Sequence, residues 1–186
     1  FHPKTVSNIQ MGLVFEELIR WANERSNETA GDHYTPREVI SLMVQLLFAT
    51  DDDALSKPGV VRSIYDPTAG TGGMLSVADE HLRAMNPGIQ LSLYGQDYND
   101  ASYAICKADM VIKGQDVDNI ALGDTLTDDH FPDKKFDYGL SNPPFGVDWK
   151  DQRDYVDHEH ATLGFVGRFG PGTPAVSDGA MLFLLH

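Results

Sequence analysis

The sequence predicts an α/β fold, in which helices flank a mostly parallel sheet. Strand-like runs alternate along the chain with segments of helical spacing, and this alternation is typical of parallel sheets. A glycine-rich turn at residues 66–73 separates the first such run from the helix after it, as in one half of a nucleotide-binding unit. The predicted strands cover residues 60–65, 90–95, 119–122 and 136–140.

Apolar periodicity and helix-breaking residues define the predicted helices. Residues 9–22 carry apolar side chains at spacings of three and four, which predicts an amphipathic helix. Thr35 is expected to cap a second helix that has Pro36 at its first position and runs to about residue 49, before a polar loop at residues 51–58. Two more helices are predicted after the first two strands, at residues 74–85 and 101–113.

The last third of the chain gives a weaker pattern. Residues 147–176 are polar, contain several Gly and Pro residues and show no period, so we expect a long loop there. Ser177 and Asp178 are expected to cap the apolar segment at residues 180–185. A parallel sheet of four strands is small, so the fold is expected to be truncated after the fourth strand and the helix that follows it.

Composition limits the classes of protein that fit. With 186 residues, 41% of them hydrophobic, the chain can bury the core of one domain or slightly less. Its apolar runs are far shorter than the ~20 residues that span a bilayer, and no leader precedes them, so we expect a soluble, unexported protein. Its net charge of -14 predicts weak DNA binding by the chain alone, because DNA binders neutralise phosphates with Lys and Arg.

Metal and thiol chemistry are not expected. Cys106 is the single cysteine, which excludes an internal disulfide and a cysteine-based metal site, and we expect it in the core. His158, Glu159 and His160 are adjacent in a polar segment and lack metal-helix spacing, so they are expected to be solvated. Trp21 and Trp149 are interpreted as packing residues, and Arg153 and Arg168 as loop charges that could meet DNA phosphates.

Acidic residues and glycines at the strand ends suggest a nucleotide-like ligand. Gly70, Gly72 and Gly73 would let a ligand approach the backbone at a helix N-terminus, although a tight structural turn is the alternative. Their spacing differs from the G-x-G-x-x-G pattern of dinucleotide sites. Asp66 could attract an ammonium group, Asp97 could accept hydrogen bonds from ribose hydroxyls, and Asp124 could bond an adenine amino group; a solvated strand-end acid is the alternative for Asp97.

The run Asn142-Pro143-Pro144-Phe145 is the strongest candidate for a catalytic site. Two prolines after a strand fix a stiff turn at the carboxyl edge of the sheet, where ligands bind in open α/β folds. The Asn142 side-chain oxygen and the Pro143 carbonyl could accept both N–H bonds of one amino group and aim its lone pair. Phe145 offers a flat face to the ring. A structural Pro-Pro turn with an Asn cap is the alternative.

These motifs resemble those of amino-methyltransferases. The chain is most similar to the modification subunit of type I restriction systems, and it shares with that family residues 11–19, 34–37, 103–110 and 177–186. The resemblance implies a class I, Rossmann-like S-adenosylmethionine-dependent fold that methylates N6 of adenine in DNA without a metal. It also implies a DNA-specificity subunit, a restriction endonuclease subunit and a bacterial or archaeal cytoplasm. Residues 1–30 would end an N-terminal helical region, and residues 31–186 would begin the catalytic domain.

The resemblance assigns the site residues as follows. Catalysis would use Asn142, Pro143, Pro144 and Phe145. His33, Tyr34, Thr35 and Pro36 would touch the methionine end of the cofactor. The other expected cofactor-binding residues are Asp66, Thr68, Ala69, Gly70, Thr71, Gly72, Gly73, Asp97 and Asp124. The family usually has Glu where this chain has Asp97, and this shorter acid reaches the ribose less directly.

Three other functions compete with this hypothesis. Enzymes resembling protein-glutamine and RNA guanine-N2 methyltransferases share the Asn-Pro-Pro-aromatic turn, but they more often have Tyr at the position of Phe145. A nonenzymatic scaffold that keeps the cofactor pocket is a second alternative, and the intact Asp66 and Asn142 argue against it. A NAD-dependent dehydrogenase is disfavoured because the pyrophosphate fingerprint is missing.

Overall fold

The computed structural model describes Val14, Glu17, Leu18 and residues 35–186. The three isolated residues are helical, and the rest of the helix predicted at residues 9–22 lies outside the described residues, as do His33 and Tyr34. Residues 35–186 contain these elements in chain order: α1 (Arg37–Phe48), α2 (Asp52–Leu55), β1 (Val61–Asp66), α3 (Gly73–Met85), β2 (Gln90–Asp97), α4 (Asp100–Lys113), β3 (Ile120–Leu122), β4 (Tyr138–Gly139), α5 (Arg153–Leu163) and α6 (Ala180–Leu185).

The four strands form one parallel sheet in the order β3-β2-β1-β4. Strand β1 lies inside the sheet and pairs on both sides, so that Tyr65 lies opposite Tyr94 of β2 and Gly139 of β4. The chain winds from β1 through β2 to β3 and then crosses to the other side of β1. The sheet therefore reverses its winding direction between β1 and β4, where open α/β folds bind ligands. The predicted parallel α/β fold is confirmed.

Two groups of buried side chains form the core. The larger one lies between the sheet and helices α1, α3 and α4, and includes Phe48, Leu75, Leu93 and Met110. The expected core position of Cys106 is confirmed, since its side chain is fully buried there. The smaller group is built on α5 and α6 and consists of Leu126, Trp149, Val156, Phe169 and Leu182. The interpretation of Trp149 as a packing residue is likewise confirmed.

Four local predictions are wrong. Ser177 and Asp178 do not cap α6, because Gly179 occupies its N-cap position and no side chain of the described residues caps it. The expected loop at residues 147–176 contains helix α5, and the expected loop at residues 51–58 contains the short helix α2. Helix α5 buries only Val156, so its sequence lacks the apolar stripe that marks a surface helix. Thr35 does not cap α1; Pro36 occupies the N-cap position, and its carbonyl accepts the amides of Val39 and Ile40.

The segment with His158, Glu159 and His160 is not simply solvated. Glu159 forms an ion pair with Arg168 at 2.6 Å, and His160 Nδ1 donates to the Phe169 carbonyl at 2.7 Å. Arg168 is therefore a packed structural residue and not a mobile loop charge. Across the described part of the chain, no group of His, Cys, Asp and Glu could hold a metal ion. Within the same residues, no helix has the length and apolar character needed to cross a membrane.

Gly72 joins the glycine turn to α3 in a conformation that only glycine adopts easily. Its φ of 86° is left-handed, and a Cβ built there would lie 2.8 Å from Cys106 Sγ of α4. Gly114, after α4, has a similar φ of 69°, but a Cβ there meets no described atom within 4 Å. Comparing the two glycines distinguishes the effect of backbone strain, which both positions share, from that of steric overlap, which only Gly72 has.

We predict that Gly72→Ala destabilises the protein by about 3 kcal/mol and Gly114→Ala by about 1 kcal/mol, because only the first adds overpacking to backbone strain. Denaturant unfolding of both variants measures the difference. Combining Gly72→Ala with Cys106→Ala should recover part of the loss, since the overlapping sulfur is gone. Equal losses for Gly72→Ala and Gly114→Ala would contradict the steric explanation.

Candidate cofactor and catalytic site

Polar residues follow every strand at one edge of the sheet. Asp66 ends β1, Asp97 ends β2, Asp124 comes two residues after β3, and Asn142 comes three residues after β4. Because all four strands are parallel, their carboxyl ends meet at the same edge. The order β3-β2-β1-β4 therefore sets these four residues in a row, with Asp66 and Asn142 on the two strands where the winding reverses.

Asp66 is a buried carboxylate with no cationic partner among residues 35–186. Its side chain is 1% exposed, and Oδ1 accepts the Thr68 amide at 2.9 Å and the Thr68 hydroxyl at 3.2 Å. Among residues 35–186, no Lys, Arg or His side chain forms an ion pair with it. Burial, together with a smaller effect of the nearby Asp97 carboxylate, raises the pKa of Asp66 to about 7, although the hydrogen bonds from Thr68 act in the opposite direction. A ligand with a positive group would remove this cost.

The glycine turn lies between Asp66 and α3, and Asp97 holds it in place. The Gly70 amide donates to Asp97 Oδ2 at 2.8 Å, and the Ala69 amide donates to the Gln96 carbonyl at 3.0 Å. Asp97 Oδ1 also accepts the amide of Asn99. Within the described residues, no side chain caps the N-terminus of α3, and its first turn holds no acidic residue. The turn thus presents amide groups and the positive end of the helix dipole to the edge of the sheet.

The loop after β3 contacts the turn that follows β1. Thr125 is buried, and its hydroxyl donates to the Pro67 carbonyl at 2.6 Å. Asp124 Oδ1 accepts the Leu126 amide at 2.9 Å, and Oδ2 accepts Gln152 Nε2 at 2.8 Å. Asp124 therefore lies in the row of strand-end residues, but its carboxylate already has two protein donors.

Gln96 holds the same loop from inside the sheet. It is 0% exposed, donates to the carbonyls of Gly123 and Asp128, and accepts the amide of His130. The sequence analysis did not identify Gln96, Thr125 or Gln152 as site residues. Their partners are 27 to 58 residues away along the chain, and no local pattern signals such contacts.

The Asn142 turn is tied to the cofactor side of the site by two hydrogen bonds. Asn142 Nδ2 donates to Thr35 Oγ1 at 2.9 Å, and the hydroxyls of Ser141 and Thr68 lie 2.9 Å apart. Because the amide nitrogen faces Thr35, the amide oxygen Oδ1 remains as an acceptor for a ligand. Phe145 follows the two prolines and is 87% exposed, so its ring face is accessible.

The structure brings most of the predicted site residues together. Hydrogen bonds connect Thr35 with Asn142, Thr68 with Asp66, and Gly70 with Asp97. Pro36 is the N-cap of α1, and the Arg37 side chain forms an ion pair with Glu80 of α3, which fixes the helix that follows Thr35. Four more predicted residues lie in the same two turns, because they are adjacent in sequence to the residues above: Thr71, Gly73, Pro143 and Pro144.

A cavity of about 510 Å³ borders the Asn142 turn. Ser141 and Pro143 contribute to its wall from the turn, and Arg168 and His186 contribute polar groups. Phe131, Phe136 and Phe183 give it an apolar lining. The site therefore has open space beside the predicted catalytic residues.

Comparison with known proteins gives a consistent assignment. The sequence profile of the N-6 DNA Methylase family matches residues 7–186. The chain is 34% identical over 155 residues to the type I restriction enzyme MjaIX methylase subunit of Methanocaldococcus jannaschii, covering 82% of this chain and 26% of that protein. It is 26% identical over 179 residues to the HindI methylase subunit of Haemophilus influenzae, covering 95% of this chain and 36% of the relative.

Solved structures show the same fold. The type I restriction-modification methyltransferase subunit of Streptococcus thermophilus superposes with a TM-score of 0.75 at 28% identity, covering 95% of this chain and 35% of that one. A protein from Listeria monocytogenes with the class I S-adenosylmethionine-dependent methyltransferase fold superposes with a TM-score of 0.67 at 14% identity, covering 99% of this chain and 50% of that one. The chain spans about a third of the length of the curated relatives it matches.

The buried Asp66 carboxylate predicts a pH dependence of stability. Its pKa is 3.8 when unfolded and about 7 when folded, so between these values the folded state binds the extra proton. Stability should therefore fall as pH rises from about 4 to about 7 and level off above. We expect Asp66→Asn to lack this fall, so that the variant gains on the order of 2 kcal/mol relative to the wild type between pH 5 and pH 8. Denaturant unfolding at both pH values measures it, and parallel pH profiles of the two proteins would refute the assignment.

Proposed function

This chain belongs to the N-6 DNA methylase family, and we propose that the complete protein transfers a methyl group from S-adenosylmethionine to N6 of adenine in DNA. The observation that carries this proposal is the orientation of the Asn142 amide, whose nitrogen is bound by Thr35 and whose oxygen stays an acceptor. Asn142 follows β4, the strand that pairs with β1 beside the buried Asp66, and belongs to the row of strand-end residues. An acceptor for an amino group thus adjoins a pocket for a cationic ligand.

The residues at the edge of the sheet fit S-adenosylmethionine. Asp66 is buried with no cationic side chain paired to it in residues 35–186, and the ammonium group of the methionine moiety would supply a positive charge. The amides of the glycine turn and the N-terminus of α3 suit its carboxylate. Asp97 ends the neighbouring strand, and its carboxylate, which already accepts the amides of Gly70 and Asn99, would also accept hydrogen bonds from the ribose hydroxyls. Thr35 and Pro36 would border the methionine end, and Asp124 the adenine.

The protein's part in the reaction is to position the amine. The bound cofactor supplies a methyl group on a sulfonium, whose thioether leaves without acid or metal. Asn142 Oδ1 and the Pro143 carbonyl would accept the two N–H bonds of the adenine amine, which withdraws its lone pair from the ring and aims it. The exposed Phe145 ring would stack on the flipped base.

The charge of the chain favours a complex on DNA. A net charge of -14 opposes independent DNA binding, so we propose that a DNA-specificity subunit supplies the grip and that a restriction endonuclease subunit joins the assembly. We place residues 31–186 at the start of the catalytic domain and residues 1–30 at the end of a preceding helical region. One buried cysteine fits the reducing cytoplasm of a bacterium or archaeon.

Replacing Asn142 tests the proposed function. In the complete subunit with its specificity partner, Asn142→Ala should lower the methylation rate about a hundredfold, because an interaction with the reacting nitrogen is lost. Affinity for S-adenosylmethionine should stay within about twofold, since the glycine turn and Asp66 are untouched. Tritiated methyl transfer to unmethylated DNA and calorimetric cofactor binding give the two readouts.

Thr35 variants provide the matched control for this experiment. Thr35→Val removes the hydroxyl that orients the Asn142 amide and should slow methylation about tenfold, whereas Thr35→Ser keeps the hydroxyl and most of the rate. If the folded Asn142→Ala variant methylates DNA at a near-normal rate, the Asn142 turn has only a structural role. Absence of methyl transfer by the wild-type complex would overturn the proposed function.

A further inference from the structure

Arg168 is a partly buried cation that connects two separate parts of the fold. Its side chain is 15% exposed. On one side, Nη1 donates to the Thr125 carbonyl at 2.8 Å and Nη2 to the Leu126 carbonyl at 3.0 Å. On the other side, Nε and Nη2 donate to both carboxylate oxygens of Glu159 on α5, at 2.6 to 3.1 Å. The planar guanidinium thus holds the loop after β3 against α5.

The backbone of Arg168 is held as closely as its side chain. Its amide donates to Glu159 Oε1 at 2.9 Å. The preceding Gly167 allows this approach, because a Cβ there would lie 2.9 Å from Leu163 Cβ and 3.2 Å from Glu159 Oε1. Arg168 Nη1 also contacts His186 Nδ1 at 3.1 Å. These contacts therefore fix the position of the guanidinium independently of its hydrogen bonds to the loop after β3.

The loop that Arg168 holds contacts the cofactor turn. The Thr125 carbonyl accepts from Arg168, while the Thr125 hydroxyl donates to the carbonyl of Pro67, which separates Asp66 from Thr68. A shift of the loop would move Pro67, and with it the donors that surround the Asp66 carboxylate. One residue, Thr125, thus joins the guanidinium to the turn that carries the buried acid.

We propose that Arg168 is a positioning residue of the cofactor pocket, acting through Thr125 on the turn that carries Asp66. This inference rests on the proposed function, since it assigns the pocket to S-adenosylmethionine. A single ammonium group cannot replace the planar fork, because a lysine cannot reach two carbonyls and a carboxylate on opposite sides. Glu159 supports the geometry by holding the other edge of the guanidinium.

Cofactor affinity of the complete subunit tests the role of Arg168. Arg168→Lys should raise the Kd for S-adenosylhomocysteine about tenfold in calorimetry, and raise the KM for S-adenosylmethionine similarly. The rate at saturating cofactor should fall by a smaller factor than the affinity, because no hydrogen bond of Arg168 within the described residues reaches the Asn142 turn. Thr125→Val, which loses the hydroxyl bond to Pro67, should weaken binding in the same way. The Kd of the double variant should be at most about twofold higher than that of the weaker-binding single variant, because both substitutions interrupt the same chain of contacts.

Arg153→Lys is the matched control. Arg153 lies on α5, the helix that also carries Glu159; it is 59% exposed and pairs with Asp157 at 3.3 Å, so its replacement should leave cofactor affinity unchanged. Wild-type affinity in Arg168→Lys, or strictly additive losses in the double variant, would overturn the proposal, as would weaker DNA binding with intact cofactor affinity. If Arg168→Lys fails to fold, wild-type affinity of Thr125→Val overturns it. A wild type that binds no cofactor would overturn the proposed function and this assignment together, whereas a binding wild type with unaffected variants overturns this assignment alone.

Discussion

Strand β1 pairs in parallel with a neighbour on each side, and this pairing decides where the polar groups of the site lie. Because β2 and β4 both run in the direction of β1, Asp97 and Asn142 emerge at the edge where Asp66 ends. The reversal of winding between β1 and β4 opens a crevice at that point. An antiparallel β4 would send Asn142 to the opposite edge, away from the glycine turn. The site is thus a consequence of the topology before any side chain is considered.

Burial gives this edge its chemical character. Asp66 has its pKa raised to about 7 by burial, and its hydrogen bonds to Thr68 compensate only in part. The charged form of this carboxylate destabilises the folded protein until a cation binds beside it. Part of the free energy of folding is therefore lost in preorganising the pocket. The neighbouring Asn142 amide is oriented by a neutral acceptor, the Thr35 hydroxyl oxygen, which suits a neutral amine. The carboxyl edge of the sheet therefore has two adjacent sites: the one at Asp66 favours a cation, and the one at Asn142 favours a neutral amine.

Local patterns predicted the strands, the glycine turn and helices α3 and α4, because each combines apolar spacing with a residue that ends the element. The strand-end residues could be found for the same reason, since their position after a strand is visible in the sequence. Helix α5 could not, because it buries only Val156 and is held by long-range bonds of Glu159 and Gln152. Thr35 resembled a helix cap, but its hydroxyl binds Asn142, a contact 107 residues away in the chain. Tertiary hydrogen bonds replaced the local preference in both cases.

A crystal structure of the complete subunit with S-adenosylhomocysteine tests the central claim most directly. The account predicts that the ribose hydroxyls lie within hydrogen-bond distance of Asp97, that the ammonium group lies beside Asp66, and that the sulfur faces the Asn142 turn. A cofactor bound at another edge of the sheet, or with its ribose away from Asp97, would contradict it.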